Sequence, residues 1–531
     1  MTEAGSGTAV DGRRPADAPR VAYAVARALK EDGIDRVFLV TGGDLWLWRA
    51  LRDQGIQLHL ARSEAASVVM ADAYARVTGK PAVVYGQWGP GAANVAGALA
   101  DAWWARSPLV ALTSTVSTQV EYKFEYQELD QPPMFQSVTK WQARVTRADR
   151  AGELVAMAVR IAAAGCPGPV HIDIPSDILA QDAQPAAHYA PACAPAPPAP
   201  SASAVDDIVG RLARSRRPVI LAGNGVLLAD AAADLTEFAE IATVPVLTTL
   251  GGKGAIPENH PLSAGVAGRY SSKVANEIAR DADFILAIGT DLGALATDTY
   301  TLPSPDAEVV QVDLAAERIG RTRAVEAGVV ADAGEACRAL TAALTLATAS
   351  TARPDNDAHH TWCASVRRRR DAWQEAFEAV ARRPAVGHVR PEAIVAILRE
   401  LAGDRDILVA DTGFMGAWGG ALFPVHAAGR TFLRAAGTLG WAFPAVLGAQ
   451  LAATSGQRAF ALVGDGGFGY NVGDLETAMR LNVPAVVIVL NNASLAYEHV
   501  GFEHALGGDV VVSKERVAPV TTFDARLERD I

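Results

Sequence analysis

The sequence has 531 residues, half of them hydrophobic and a fifth charged, which is ordinary globular composition. A chain of this length exceeds what one hydrophobic core usually organises, so we expect two or three domains. The net charge of −11 argues against an extended nucleic-acid-binding face, which would need a basic surface. The sequence has no apolar run long enough to cross a bilayer.

The N-terminal residues 1–19 predict a disordered tail, because their two arginines are not followed by the apolar core of a signal peptide. The four cysteines are scattered without a C-x-x-C pair, which is typical of reduced thiols in a cytoplasmic protein. We therefore expect a cytoplasmic protein that binds neither a membrane nor nucleic acid.

Two breaks in composition divide the remaining chain into three globular segments. The first break, residues 182–203, is rich in Pro and Ala and predicts a linker over the surface. The second, residues 348–385, starts as a polar stretch and continues into a helix-like segment. The domains are therefore expected at residues 20–181, 204–347 and 386–531.

Within each segment, short apolar runs alternate with amphipathic helical patterns. Strands that are apolar on both faces and separated by helices favour parallel sheets covered by helices. The sequence thus predicts an α/β protein with three doubly wound parallel-sheet domains. The predicted strands are 37–40, 82–86, 109–114, 170–174, 219–223, 284–289, 309–314, 407–411, 460–464 and 485–490.

The most informative stretch is one strand–helix–strand unit in the third segment. Its first strand ends at Asp465, a helix is predicted over 472–481, and its second strand ends at Asn492. Parallel neighbouring strands bring their carboxyl ends to the same edge, where α/β proteins bind ligands. One carboxylate and one amide oxygen there suit Mg²⁺ or Ca²⁺ together with diphosphate oxygens. Gly466 and Gly467 allow a close backbone approach to the phosphates.

An alternative comes from Gly464, Gly466 and Gly469, which satisfy the G-x-G-x-x-G fingerprint of an NAD-dependent dehydrogenase. A Rossmann site binds pyrophosphate without a metal, so a carboxylate at Asp465 would repel the ligand. The second strand of such a site should also end in Asp or Glu, whereas this one ends in Asn492. The chemistry therefore favours a metal–diphosphate site.

The motif of thiamine diphosphate enzymes resembles a pattern in this chain, which has GDG at 464–466, then residues 467–490, then NN at 491–492. By this resemblance Asp465, Asn492 and the backbone carbonyl of Ser494 bind Mg²⁺, and the glycines around Asp465, including Gly464, contact the cofactor. The resemblance names thiamine diphosphate and Mg²⁺ as the cofactors.

The stretch 435–450, which precedes this motif, is also similar to the family. Leu439 occupies the position of the bulky apolar residue that holds the cofactor in its V shape. Gly437 corresponds to the residue that accepts a hydrogen bond from the exocyclic amine of the cofactor.

The stretch 62–114 resembles the pyrimidine-binding domain of the acetolactate synthase group, so the third segment would be the diphosphate-binding domain. Glu64 falls where the family has a glutamate that hydrogen-bonds the aminopyrimidine and favours its imino tautomer. Taken alone, Glu64 could equally be a carboxylate that stabilises a helix start. The resemblance also implies a homodimer or homotetramer, with each active site between the first domain of one subunit and the third of another.

The central segment is similar to the Rossmann-like domain that holds FAD structurally in acetolactate synthases. Those proteins usually carry an Arg-containing stretch after the strand that corresponds to 284–289. The stretch 290–301 follows that strand in this chain and contains no basic residue. FAD is therefore one expectation, and an empty structural domain is the other.

The expected catalytic residues are Glu64, Gln127 and Glu498. Gln127 matches a glutamine of the acetolactate synthase pattern, and Glu498 falls where decarboxylases and some lyases have a catalytic glutamate. The alternative for Glu498 is a solvated helix carboxylate. The resemblance implies decarboxylation of a pyruvate-like 2-oxo acid, followed by carboligation of the remaining unit to an acceptor.

Two other reactions and one inactive state compete with this interpretation. The stretches GQWGPG and YQELDQPPMF also resemble sulfoacetaldehyde acetyltransferase. A 2-oxo acid decarboxylase or lyase is another alternative, but simple 2-oxo acid decarboxylases carry a His-His pair where this chain has Ser114 and Thr115. An inactive cofactor-binding remnant is the non-enzymatic alternative, since only residues 493–531 follow Asn492, whereas family members usually continue for another strand and helix.

Overall fold

The computed structural model describes residues 20–183, 195–349, 357–384, 387 and 389–498. The predicted tail, half of the first predicted linker and the residues after 498 lie outside these ranges. None of the helices within the described ranges is long and apolar enough to span a membrane. The described cysteines, Cys166, Cys337 and Cys363, are unpaired, and Cys193 lies outside the described residues.

The first segment forms a six-stranded parallel sheet with helices packed on it. The strands are β1 (Arg36–Leu39), β2 (Gln57–Leu60), β3 (Ala82–Gly86), β4 (Leu109–Thr115), β5 (Trp141–Arg144) and β6 (Val170–Pro175). The helices are α1 (Val21–Glu31), α2 (Leu45–Asp53), α3 (Glu64–Thr78), α4 (Pro90–Ala105), α5 (Pro132–Phe135), α6 (Ala151–Ala163) and α7 (Ser176–Leu179). The order in space is β2-β1-β3-β4-β6-β5, so the connections are crossovers of the kind that parallel strands require.

The central segment forms a second six-stranded parallel sheet, in the order β12-β11-β10-β7-β8-β9. Its strands are β7 (Pro218–Ala222), β8 (Val246–Thr248), β9 (Ser263–Val266), β10 (Phe284–Ile288), β11 (Glu308–Asp313) and β12 (Ala327–Val330). Its helices are α8 (Ala202–Arg214), α9 (Asn224–Leu228), α10 (Ala232–Ala242), α11 (Lys273–Asp281) and α12 (Ala333–Ala349). A long helix, α13 (Asp357–Ala381), leads to the third segment.

The third segment forms a four-stranded parallel sheet in the order β14-β13-β15-β16. Its strands are β13 (Ile407–Ala410), β14 (Phe432–Arg434), β15 (Ala459–Gly464) and β16 (Val486–Leu490). Its helices are α14 (Pro391–Leu401), α15 (Phe414–Leu422), α16 (Ala442–Ala452), α17 (Asp465–Tyr470) and α18 (Leu475–Arg480). The prediction of three parallel-sheet α/β units is confirmed.

The sequence prediction missed six strands, and five of them lie at sheet edges. These are β2, β5, β9, β12 and β14, whereas the sixth, β8, has only three residues. An edge strand is only partly covered, so its sequence mixes polar and apolar residues instead of forming a continuous apolar run. In β2, for example, the four residues range from exposed Gln57 to buried His59.

The helix predicted over 472–481 was wrong in its start. The chain turns into α17 directly at Asp465, and a separate short helix, α18, follows after a 3₁₀ turn at Val472–Asp474. Asn471 and Gly473 interrupt the helical run, because both residue types have low helix propensity.

The first and third segments share one hydrophobic core. Helix α3 packs against α16, and this core includes Val68 and Met70 from the first segment with Trp441, Phe443 and Val446 from the third. Both helices are buried around most of their circumference, which explains why α16 is apolar on all sides. This packing fixes the first segment against the helix that follows the predicted cofactor loop.

Candidate active site

The carboxyl ends of β15 and β16 lie side by side. Gly464 pairs with Leu490 in the parallel register, so the next residues leave the sheet at the same edge. The backbone N–H of Asn492 donates to Asp465 Oδ1 at 3.4 Å, and the N–H of Ser494 donates to Asn492 Oδ1 at 3.1 Å. The structure therefore brings together the three predicted metal ligands.

One oxygen of Asp465 has no partner among the described residues. This Oδ2 atom is buried, and no hydrogen bond from that part of the chain reaches it. A buried carboxylate oxygen without a partner is costly unless a cation or donor binds it. The donor set, a carboxylate and an amide oxygen, fits Mg²⁺. Among the described residues, no three His, Cys, Asp or Glu side chains group as a metal site.

The glycines of the motif differ in their surroundings. A Cβ atom on Gly467 would lie 2.2 Å from Asp411 Oδ2, so only glycine fits at that position. A Cβ atom on Gly464 would meet nothing within 4 Å, which leaves open space at the end of β15. Gly466 follows Asp465 in the first turn of α17. Close backbone packing thus explains Gly467, whereas the sheet edge beside Gly464 is open.

Asp411 is a site residue that the sequence interpretation missed. It follows β13, and its carboxylate accepts hydrogen bonds from the N–H groups of Gly440 at 3.0 Å and Ala442 at 3.4 Å. Burial raises the pKa of Asp411 to about 6, although these hydrogen bonds act in the opposite direction. Asp411 therefore anchors the start of α16. The rule that strand ends carry ligands could have found it, since it ends the predicted strand 407–411.

The loop before α16 carries the predicted cofactor contacts Gly437 and Leu439. Gly437 is exposed and Leu439 is half-buried. The N–H of Gly437 donates to Asp101 Oδ1 at 3.2 Å, and the Thr412 hydroxyl donates to the Thr438 carbonyl at 3.0 Å. Within the described ranges, no donor contacts the Gly437 carbonyl, which is the atom predicted to bind the cofactor.

Glu64 is the first residue of α3 and half-buried. The hydroxyl of Ser63 caps the helix by accepting from Ala66 N–H at 3.1 Å, so Glu64 is not needed as the cap. Its Oε2 atom accepts a hydrogen bond of 3.0 Å from Asn94 Nδ2. Its Oε1 atom lies over Gly91, where a Cβ would be only 3.2 Å away. The side chain is therefore directed towards the loop that starts α4.

Gln127 meets the same loop from the other side. It has a left-handed backbone (φ +63°), and its carbonyl oxygen would lie 2.2 Å from a Cβ on Gly89. Gln87 Nε2 donates to Gln127 Oε1 at 3.4 Å, and Trp88 Nε1 donates to the Tyr126 carbonyl at 3.1 Å. Residues 87–94 thus connect the predicted catalytic residues Glu64 and Gln127.

A buried network below this loop was also missed. Gln131 Oε1 accepts from Gly89 N–H at 2.8 Å, and Gln131 Nε2 donates to Asp173 Oδ1 at 2.7 Å. The Thr113 hydroxyl donates to the same oxygen at 3.0 Å and contacts His171 Nε2 at 2.7 Å. Nothing in the sequence pattern signals this network, because its members come from four separate parts of the chain.

Glu498 does not join these groups. Its side chain is exposed, and among the described residues no hydrogen bond or ion pair joins it to another predicted site residue. Its neighbour Tyr497 packs edge-on against Phe414 with ring centres 5.4 Å apart. The catalytic role of Glu498 stays a prediction.

The central domain has a basic residue near the end of β10, supplied by a distant segment. Arg318 donates to both carboxylate oxygens of Asp291, at 2.8 and 2.6 Å. Arg106 of the first domain lies 3.7 Å from the same carboxylate. Asp291 therefore forms ion pairs with both arginines, and FAD binding at this domain stays a prediction.

Comparison with known proteins agrees with the three parallel-sheet units. Three family models match the chain: the N-terminal TPP binding domain of thiamine pyrophosphate enzymes over residues 19–134, the central domain over 205–340, and the C-terminal TPP binding domain over 411–522. Together they cover more than half of the sequence. The chain belongs to the thiamine pyrophosphate enzyme family.

Individual relatives show which enzymes of this family are similar to the chain. A probable acetolactate synthase large subunit of Methanocaldococcus jannaschii is 30% identical over 494 residues, which is 89% of this chain and 80% of that protein. An acetolactate synthase large subunit of Parasynechococcus marenigrum is 31% identical over 92% of this chain and 79% of its own length. A sulfoacetaldehyde acetyltransferase of Rhodobacter capsulatus is 30% identical over 88% of this chain and 81% of its own. This chain is an acetolactate synthase-like enzyme that depends on thiamine diphosphate.

Proposed function

We propose that the enzyme uses Mg²⁺ and thiamine diphosphate to decarboxylate a pyruvate-like 2-oxo acid and to transfer the remaining unit to an acceptor. The observation that supports the metal site is the buried Oδ2 of Asp465, which has no partner among the residues that the structure describes and lies next to Asn492 at the end of the neighbouring strand. When bound, the cofactor supplies a nucleophilic carbon and an electron sink for cleaving a bond next to a carbonyl.

The proposed roles of this chain's residues follow from their positions. Asp465, Asn492 and the Ser494 carbonyl would bind Mg²⁺. Gly464 and Gly466 would leave the adjacent edge accessible to the diphosphate, and Gly467 would let the loop pack closely on Asp411 beside it. Glu64 would hydrogen-bond the aminopyrimidine, and the Gly437 carbonyl would accept from its amine. Leu439 would support the bent shape of the cofactor.

Gln127 and Glu498 would orient the acceptor or hold a proton. We propose that the enzyme works in the cytoplasm as a homodimer or homotetramer in which each site is completed by two subunits. The proposed domains are 20–181, 204–347 and 386–531, which is supported by three separate sheets. A membrane or nucleic-acid partner is not part of the proposal.

Glu64→Gln tests the assigned catalytic role. The variant should bind Mg²⁺ and thiamine diphosphate within about threefold of the parent, since an amide still hydrogen-bonds a ring nitrogen. Exchange of the cofactor's C2 proton with deuterated solvent, followed by NMR, should slow by at least about 100-fold, or about 2.7 kcal/mol. Exchange at the parent rate would refute the role of Glu64.

The acceptor is tested by product analysis. The enzyme is supplied with pyruvate, Mg²⁺, phosphate and a panel containing a second 2-oxo acid, an aldehyde or sulfoacetaldehyde, and mass spectrometry identifies the products. We expect a carboligation product with a 2-oxo acid. A product formed only with sulfoacetaldehyde would favour the second candidate, which the Rhodobacter capsulatus relative supports. Absence of every product and of carbon dioxide release, with saturated cofactor, would favour the inactive remnant.

A further inference from the structure

A first-domain carboxylate holds the backbone of the predicted cofactor loop. Asp101 lies near the end of α4 and is only 4% exposed. Its Oδ1 atom accepts hydrogen bonds from two consecutive N–H groups of the third domain, those of Ala436 and Gly437, the latter at 3.2 Å. More than 300 residues separate Asp101 from this loop in the sequence. The contact therefore exists only because the two domains pack together.

The loop is also held from its other faces. The guanidinium of Arg434 donates to the Ala436 carbonyl at 3.0 Å. The peptide group between Ala436 and Gly437 is thus fixed on both sides, its N–H by Asp101 and its C=O by Arg434. On the far side, the Thr412 hydroxyl fixes the Thr438 carbonyl. The peptide that carries the Gly437 carbonyl lies between these two fixed peptides.

Gly437 is the position where such support matters most. Glycine has the widest backbone freedom of any residue, and a Cβ at Gly437 would meet no atom within 4 Å. Without outside contacts the Gly437 carbonyl would therefore sample many directions. An acceptor that is already oriented costs less entropy when the ligand binds.

We infer that Asp101 is a positioning residue for the thiamine diphosphate site, fixing the direction of the Gly437 carbonyl towards the aminopyrimidine amine. This inference rests on the proposed function of the loop. Asn94 lies seven residues before Asp101 in the same helix, and its side chain contacts Glu64. Seven residues are about two turns, so both contacts leave one face of α4 about 10 Å apart along its axis. Helix α4 thereby sets the spacing between Glu64 and the cofactor loop of the same chain.

The charge of Asp101 offers a competing explanation. Burial lowers the pKa of Arg434 to about 10, and the nearby charge of Asp101 acts in the opposite direction. If Asp101 served only to neutralise the charge of Arg434, its negative charge would matter and the position of its carboxylate oxygen would not. A residue that positions Gly437 needs an acceptor oxygen at one place, not a charge.

Two variants of Asp101 separate these roles in the full-length protein. Asp101→Asn keeps an oxygen in place but removes the charge, whereas Asp101→Glu keeps the charge and displaces the oxygen by one methylene. We expect the affinity for thiamine diphosphate, measured by calorimetry with Mg²⁺, to stay within about threefold for Asp101→Asn. For Asp101→Glu we expect it to fall at least fivefold, and for Asp101→Ala at least tenfold. C2 proton exchange should follow the same order.

Asp332→Ala is the matched control, because Asp332 Oδ1 also accepts from two consecutive N–H groups, those of Gly334 and Glu335, but in the central domain. This control should bind the cofactor like the parent. If Asp101→Ala does not fold, the Asn and Glu variants still decide the question. Parent-like affinity in Asp101→Glu, or a greater loss in Asp101→Asn than in Asp101→Glu, would overturn the inference. Failure of the parent itself to bind the cofactor would instead overturn the proposed function.

Discussion

The side-chain amide of Asn94 donates a 3.0 Å hydrogen bond to the carboxylate of Glu64. Asn94 lies in the second turn of α4, and Glu64 opens α3, so the bond joins the starts of two helices. The other carboxylate oxygen lies over Gly91, where a Cβ atom would be 3.2 Å away. The absence of a side chain at Gly91 therefore gives this oxygen room, while Asn94 holds the other one.

Asn94→Ala should slow C2 proton exchange without preventing cofactor binding. Loss of a hydrogen bond to a charged group costs about 1.5 kcal/mol, which corresponds to roughly tenfold in rate. The affinity for thiamine diphosphate should change by less than about threefold, because Asn94 itself does not contact the diphosphate edge. Exchange is measured by NMR in deuterated solvent. An unchanged exchange rate would show that Glu64 does not depend on Asn94.

Gly448→Ala should destabilise the packing of the first domain on the third. Gly448 lies where α16 crosses α3, and a Cβ there would be 2.1 Å from the carbonyl oxygen of Met70. Such overpacking typically costs about 1–3 kcal/mol. The midpoint of thermal unfolding should therefore fall.

Gly97→Ala is the control for that substitution. Gly97 is an exposed residue inside α4, and a Cβ there would meet nothing within 4 Å. Alanine is favoured over glycine in a helix by about 1 kcal/mol, so the unfolding midpoint should rise. If Gly448→Ala unfolded at the parent temperature, the close helix crossing would not exist in solution.

The buried Asp173 should give the stability of the first domain a distinct pH dependence. Burial raises its pKa from the ordinary 3.8 to about 6, and hydrogen bonds from Thr113 and Gln131 and the charge of Arg144 only partly oppose this. Glu121, which pairs with Arg144, also faces the site and raises the pKa further.

The sign of this effect follows from the raised pKa in the folded protein. Protonated Asp173 contributes to the stability of the folded protein. This contribution is fully present below about pH 3.8 and is lost as the pH rises through about 6. Asp173→Asn removes this dependence. Relative to the parent, the variant should gain about 2 kcal/mol of stability between pH 4 and pH 7. Thermal unfolding at a series of pH values measures it, and a constant difference between variant and parent would contradict the raised pKa.

The strand-end rule explains how much of the site the sequence could predict. Asp465 and Asn492 follow adjacent parallel strands, so their proximity needs only the order of strands along the chain. The same rule applies to Asp411 but was not used there, because Asp411 carries no adjacent glycine motif. Strand identity was predicted well for buried central strands and poorly for edges, where only one neighbour provides hydrogen bonds.

Other parts of the site depend on tertiary packing alone. Asp101 looks like an ordinary helix carboxylate in the sequence, and its partners lie in another domain. Gln131 connects Gly89 to Asp173 through three chain segments that no local pattern links. Long-range contacts of buried polar groups are set by how the elements pack, so a single sequence does not predict them.

Cofactor binding with and without Mg²⁺ tests the central claim most directly. Thiamine diphosphate is titrated into the full-length protein by calorimetry, in Mg²⁺ and in EDTA, for the parent, Asp465→Ala and the exposed control Glu476→Gln. We predict that EDTA or Asp465→Ala weakens binding at least about 100-fold, or about 2.7 kcal/mol, while Glu476→Gln binds like the parent. Equal affinity with EDTA, or in Asp465→Ala, would contradict a metal–diphosphate site at this strand edge.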